Sequence, residues 1–135
     1  MPTPEQCRRE LEALHAFFVD WYAGTVDPGA FDRMEQVIAP GFEMVTPEGR
    51  RLDRAAVLGW VRDSRGQHEP GEFDIEISNV DVVEAFDDRL LVRYEEWQRG
   101  PDGENGRVST VLFDRAEDAP EGVQWLDVHE THIDP

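Results

Sequence analysis

Apolar positions follow a helical spacing in the first half of the chain and a strand-like spacing in the second half. The first segment begins with Thr3 as N-cap, Pro4 at the first helical position and Gln6 three residues after the cap, and it ends at Gly24. The apolar side chains between these limits recur every three or four residues: Leu11, Leu14, Phe17, Phe18, Trp21 and Tyr22. This spacing predicts an amphipathic helix with a wide apolar face.

Two shorter helices are predicted next. One covers residues 27–38 and ends at Pro40-Gly41, because proline and glycine cannot readily continue a helix. A short strand follows at residues 42–45. Asp53 then caps a third helix, which ends near residues 64–66. The apolar positions of this third helix are Val57, Leu58, Trp60 and Val61.

The chain after Pro70-Gly71 has the pattern of a β-meander. Its predicted strands are residues 73–86, 90–99, 108–115 and 123–133. Short turns separate them, so neighbouring strands should run antiparallel. The apolar parity changes at Ser78-Asn79, which predicts a bulge or bend. We therefore predict one α+β domain over residues 1–135, with three N-terminal helices packed on a strongly curved, mainly antiparallel sheet.

The last predicted strand carries polar side chains on both of its faces. Strict alternation would place Trp125, Asp127, His129 and Thr131 on one face, and Leu126, Val128, Glu130 and His132 on the other. Buried polar groups are costly unless they are paired or line a cavity. We interpret the first face as the wall of a cavity, and the second face as an outer surface that pairs with a second subunit.

Composition narrows the class of partner. The 135-residue chain has a net charge of -17, and all 13 of its basic residues are arginine. This acidity argues against nucleic acid and against anionic membrane surfaces, since both attract basic proteins. The only cysteine, Cys7, has no partner for an internal disulfide, and no apolar run is long enough to cross a bilayer. We expect a cytoplasmic protein.

Several short patterns are similar to those of the nuclear transport factor 2-like superfamily, whose fold is the cystatin-like cone. They are Ala23-Gly24 after the first helix, the run of residues 42–49, Arg50-Arg51-Leu52-Asp53-Arg54 before the third helix, and Tyr94-Glu95-Glu96-Trp97-Gln98 paired with residues 125–131. The order of the elements also matches over nearly the whole chain. Together these features resemble the SnoaL-like and kinase II association-domain-like branch.

The resemblance implies a cone with an internal pocket between helices and sheet, and a homodimer formed through the sheet. It does not imply one activity. In the ketosteroid isomerase pattern, Phe17 stands where a hydrogen-bonding Tyr is expected, Thr46 where the general base Asp is expected, and Ser109 near the protonated Asp. Neither Phe nor Thr can move the proton, so we set isomerase chemistry of that type aside.

A different set of polar residues is a candidate for chemistry. On the strand of residues 90–99, the inward positions that match the last strand are Val92, Tyr94, Glu96 and Gln98. We predict Glu96, Asp127 and His129 as catalytic residues, because burial raises the pKa of one of two neighbouring carboxylates while a nearby His stays protonated. Alternatively, these side chains form a hydrogen-bonded network that fixes the strand register. The predicted ligand-binding residues are Tyr94, Phe17, Trp21, Thr46, Trp60 and Ser109.

The leading functional prediction is a cavity that binds a small, largely apolar organic molecule. One alternative is a lyase, isomerase or hydrolase without a cofactor, and another is a non-catalytic module that only self-associates. No metal site is predicted: His129 and His132 lie three positions apart on a strand and face opposite sides, although Asp127 and Asp134 are close in sequence.

Overall fold

A computed structural model describes residues 2–133. The helices are α1 (Pro4–Tyr22), a 3-10 turn (Pro28–Phe31), α2 (Asp32–Val37) and α3 (Arg54–Asp63). The strands are β1 (Ile38–Val45), β2 (Arg51–Asp53), β3 (Asp74–Phe86), β4 (Arg89–Gly100), β5 (Gly103–Arg115) and β6 (Val123–His132). They form one six-stranded sheet in the order β2-β1-β6-β5-β4-β3. All pairs are antiparallel except β1 with β6, so the predicted α+β class with a mainly antiparallel sheet is confirmed.

Helix α1 begins and ends at the residues that its sequence indicates. The Thr3 N–H donates to Gln6 Oε1 at 2.8 Å, and the Gln6 N–H donates to Thr3 Oγ1 at 3.1 Å. This reciprocal capping satisfies two amide groups that the first turn leaves without helical partners. After the helix, Gly24 adopts a φ of 69°, a left-handed conformation that glycine takes without a steric penalty.

The second helical segment is shorter than predicted. It ends at Val37, and Ile38 already begins β1. Pro40-Gly41 therefore lies inside a strand, at an irregularity in the parallel pairing of β1 with β6. That pairing joins residues far apart in sequence, so local spacing could not indicate it. The short strand β2, which pairs with β1, was not predicted either.

The meander follows the predicted order, with one longer strand. Strand β5 begins at Gly103 rather than Val108, because only Pro101-Asp102 separates it from β4. The bend predicted in β3 is confirmed: the pairing with β4 shifts between Ser78 and Asp81, and Asn79 has a φ of 52°. A bulge of this kind increases the twist of the sheet and helps to curve it around the helices.

Another bulge, in β6, reverses the predicted orientation of the residues that follow Leu126. Trp125 pairs with Phe113 and Asp127 pairs with Leu112, so Leu126 has no counterpart on β5. The extra residue shifts the alternation by one position. Trp125 is buried on the inner side of the sheet, but beyond the bulge it is Val128 and Glu130 that are buried, whereas Asp127 and His129 are exposed. The prediction that Asp127 and His129 face inward is therefore wrong.

The core lies between the helices and the inner face of the sheet, and it contains an ion pair. Glu10 is fully buried and accepts hydrogen bonds from Arg33 Nη2 at 2.7 Å and Nη1 at 3.1 Å. Trp125 Nε1 donates to the same carboxylate at 2.9 Å, which ties α1 to β6. Burial raises the pKa of Glu10, although the Arg33 hydrogen bonds oppose that shift. Within residues 2–133, no helix has both the length and the apolar composition needed to span a membrane.

Candidate functional site

A cavity of about 110 Å³ lies between α1, α3 and the inner face of the sheet. Most of its wall is apolar, including Leu14, Phe18, Met44, Val57, Trp60 and Val128. Its polar wall residues include His15, Tyr94, Glu96, Gln98, Arg107 and Glu130. An apolar wall with a few convergent polar groups is the usual composition of a small-molecule site.

His15 and Glu96 form a buried ion pair in the cavity wall. His15 Nε2 lies 3.1 Å from Glu96 Oε1, and His15 Nδ1 lies 2.7 Å from the Leu11 carbonyl oxygen. A carbonyl oxygen only accepts hydrogen bonds, and so does an ionised carboxylate. With Glu96 ionised, His15 satisfies both contacts when each ring nitrogen carries a proton. The geometry therefore fits an imidazolium cation.

The electrostatics of this pair agree with its geometry. Burial opposes the charge on His15, but Glu96, together with the Leu11 carbonyl and the charge of Glu130, raises the pKa of His15 above its usual value. Burial likewise opposes the charge on Glu96, but His15, together with Gln98 and Arg107, lowers the pKa of Glu96 to about 2. Gln98 Nε2 also donates to Glu96 Oε2 at 2.7 Å. Glu96 is thus an ionised carboxylate that is held in one orientation.

Arg107 and Glu130 form a second pair beside the first. Arg107 Nη1 donates to Glu130 Oε1 at 3.1 Å, and Ser109 Oγ donates to Glu130 Oε2 at 2.9 Å. Burial and the nearby charge of Glu96 raise the pKa of Glu130, and its hydrogen bonds oppose that shift only in part. The two carboxylates therefore differ: Glu96 is a weak base, whereas Glu130 takes up a proton more readily.

Tyr94 lies in the same wall and is 1% exposed. Burial, reinforced by the charges of Glu96 and Glu130, raises the pKa of Tyr94 well above its usual value. Its hydroxyl therefore stays protonated at neutral pH.

The remaining predicted site residues are scattered. Trp60 lines the cavity and is 61% exposed, which places it at the solvent-facing side of the wall. Phe17 and Trp21 are buried in the core, with their rings stacked at 5.6 Å. Thr46 accepts a hydrogen bond from the Arg50 amide in the turn between β1 and β2.

Sequence reasoning missed three residues of this wall, namely His15, Arg107 and Glu130. His15 follows Leu11 by four residues and precedes Phe18 by three, so helical spacing alone could have placed it on the inner face of α1. Arg107 lies opposite Glu96 in the register of β4 and β5, but the predicted strand began one residue too late to include it. Glu130 was assigned to the outer face because the bulge at Leu126 was not anticipated.

The described part of the chain contains no group of three or more His, Cys, Asp or Glu side chains arranged to hold a metal ion. Asp134, which was considered with His129 and His132, lies outside the described residues.

Comparison with known proteins identifies the family. Residues 9–134 match the family described as Sucrose-6-phosphate phosphohydrolase C-terminal. The chain belongs to this family. The chain is also similar to sucrose-phosphatase 2 of Nicotiana tabacum, with 21% identity over 127 residues, which are 92% of this chain and 30% of the tobacco protein. The chain thus spans less than a third of that relative.

Solved structures agree with the family's fold. An NTF-2 like protein of unknown function from Pseudomonas aeruginosa is 31% identical, with a TM-score of 0.86 over 96% of this chain and 99% of that one. The CaMKII hub of S. rosetta is 15% identical, with a TM-score of 0.65 over 96% of this chain and 92% of the hub. The predicted nuclear transport factor 2-like fold is therefore confirmed, and the hub supports the fold alone.

Proposed function

We propose that this member of the Sucrose-6-phosphate phosphohydrolase C-terminal family binds a small, largely apolar organic molecule in the cavity between α1, α3 and the sheet. The observation that carries the proposal is the cavity itself, whose apolar wall includes polar groups of fixed orientation. Apolar walls provide affinity and a few fixed polar groups provide orientation.

The size of the cavity limits the ligand. A dry cavity of about 150 Å³ is large enough for benzene, and this one has about 110 Å³ and continues to the exposed side of Trp60. A six-membered ring or a short branched chain therefore has to extend partly toward the exposed side at Trp60. The proposed ligand is smaller and less polar than sucrose, the disaccharide that appears in the name of the tobacco relative.

The structure supports ligand binding better than it supports acid-base catalysis by Glu96, Asp127 and His129. Asp127 and His129 are exposed on the outer side of β6 and do not line the cavity that Glu96 lines. Glu96, whose pKa is lowered to about 2 by His15 against the effect of burial, is a poor general base at neutral pH. Ligand orientation is a more suitable role for a carboxylate held by two hydrogen bonds.

A cavity-filling variant tests the proposal. Methylenecyclohexane is a suitable probe, and its binding is followed by NMR through the methyl resonances of Val128. We expect saturable shifts in the wild type and their loss in Val57→Phe, because the larger side chain occupies the cavity. Val83→Phe is the matched control, since Val83 is 43% exposed on β3. Wild-type protein that shows no shifts, or Val57→Phe that stays folded and binds equally well, would contradict the proposal.

A second proposed function is self-association through the outer face of the sheet. The central strands present a partly buried apolar surface there, formed by Leu91, Trp97, Val108, Leu112 and Leu126. We expect sedimentation equilibrium to give a dimer, Leu112→Glu to give a monomer, and the control Val83→Glu to remain dimeric. A wild-type monomer would contradict this second proposal.

A further inference from the structure

One buried donor in the cavity wall has no acceptor within the protein. Arg107 Nε is the only buried side-chain nitrogen or oxygen atom of the described residues without a hydrogen-bond partner. The other two guanidinium nitrogens are used: Nη1 donates to Glu130, and Nη2 donates to Asn105 Oδ1 at 3.4 Å. Buried donors are nearly always paired, so an unpaired one in a cavity wall needs an explanation.

We propose that the cavity ligand is electrically neutral and carries a carbonyl, ether or hydroxyl oxygen that accepts a hydrogen bond from Arg107 Nε. This inference rests on the proposed binding function and specifies the chemical class of the ligand. It depends on the position of Arg107, its unused donor and the charge of its surroundings.

The position of Arg107 is fixed by the sheet. It pairs with Glu96 across β4 and β5, which places both residues on the inner side, and its side chain is 18% exposed. The ion pair with Glu130 restricts the guanidinium plane. A restrained donor can orient a ligand without losing much conformational freedom on binding.

The charges around the cavity favour a neutral ligand. His15 and Arg107 supply two positive charges, and Glu96 and Glu130 supply two negative charges, so the four groups cancel. An anionic ligand would lie close to both carboxylates and would be repelled by them. A cationic ligand would compete with His15 and Arg107 for the same carboxylates. A neutral oxygen acceptor for the free N–H brings no charge that would repel either carboxylate or either cation.

Two probes of the same shape separate this inference from simple apolar binding. Cyclohexanone has an oxygen acceptor, whereas methylenecyclohexane has a CH₂ group in its place. In ¹⁵N-labelled protein, the Nε–H cross-peak of Arg107 is assigned by its loss in Arg107→Lys. We expect cyclohexanone to move this cross-peak and to bind about tenfold more tightly than methylenecyclohexane. Equal affinity with an unmoved Arg107 cross-peak would overturn the inference while leaving the cavity function intact.

The variants provide a second comparison. Arg107→Lys keeps a positive charge beside Glu130 but removes the Nε donor, so the preference for cyclohexanone should fall to about one. Arg99→Lys is the matched control, because Arg99 is an exposed arginine on β4, and it should keep the tenfold preference. A full preference in Arg107→Lys would overturn the inference. If neither probe moves the Val128 methyl resonances of the wild type, the proposed function fails and the inference fails with it.

Discussion

Glu96 on β4 and Arg107 on β5 lie directly opposite each other in the sheet, yet each forms its ion pair with a different residue. Glu96 pairs with His15 of α1, and Arg107 pairs with Glu130 of β6. The cavity wall therefore contains two ion pairs side by side. One pair links the sheet to a helix, and the other links two neighbouring strands.

The His15 and Glu96 pair should stabilise the protein within a defined pH range. Because the pKa of Glu96 is lowered from 4.5 to about 2, its contribution is complete above 4.5 and is lost as the pH falls toward 2. Because the pKa of His15 is raised above 6.5, its contribution is complete below 6.5 and is lost as the pH rises through the folded value. The full effect therefore lies between these limits.

Glu96→Gln tests this range, since it leaves a buried imidazolium without its counterion. We expect a loss of about 3 kcal/mol in the free energy of unfolding between about pH 5 and 6.5, and a smaller loss at high pH. Urea unfolding at several pH values measures both. Glu72→Gln is the control, because the His68 and Glu72 pair is partly solvated and should contribute below about 1 kcal/mol. A loss that does not depend on pH would show that His15 is neutral.

Ser109 should adjust the protonation of Glu130. Ser109→Ala removes the hydrogen bond to Glu130 Oε2, so the pKa of Glu130, already raised by burial, should rise further. The carboxyl carbon of Glu130, followed by ¹³C NMR across a pH titration, measures this shift. A Glu130 pKa that is unchanged or lower in the variant would contradict the assignment.

The core ion pair predicts a large difference between two Arg→Leu substitutions. Arg33→Leu leaves the buried Glu10 charge without its counterion and should cost about 3–5 kcal/mol of stability. Arg9→Leu removes a solvated pair with Glu121 and should cost less than about 1 kcal/mol. Chemical denaturation of both variants checks the difference. Equal losses would mean that Glu10 is protonated in the folded protein.

Two glycines should respond in opposite directions to alanine. A Cβ at Gly106 would lie 2.5 Å from the Trp97 ring, so Gly106→Ala must displace the indole and should cost about 1–3 kcal/mol. Gly59 lies in α3 with open space around it, and Gly59→Ala should stabilise the protein by about 0.5–1 kcal/mol. Thermal unfolding distinguishes the two, and a Gly106→Ala variant as stable as the wild type would contradict the packing at Trp97.

The sequence predicted the fold well because most of its elements depend on local signals. The capping box of α1, the Asp53 cap of α3 and the bend at Ser78-Asn79 are all visible in short stretches of sequence. The parallel pairing of β1 with β6 depends on residues far apart in the chain.

The candidate site was predicted less well than the fold. The bulge at Leu126 explains why the residues of β6 were assigned to the wrong faces. Strand β4 is regular near Glu96, so alternation places Tyr94 and Glu96 on the inner side, as the structure does. Leu126 interrupts the same alternation in β6. As a result, Glu130 lies at the cavity, where strict alternation predicts His129. A bulge adds no distinctive residue type here, and only the pairing with β5 reveals it.

A crystal structure determined with cyclohexanone tests the central claim most directly. The account predicts that the ring lies in the cavity between Val57 and Val128, with its oxygen within hydrogen-bonding distance of Arg107 Nε. A cavity that is filled by the protein's own side chains, with no ring in it at saturating cyclohexanone, would contradict the claim that this protein binds small apolar molecules there.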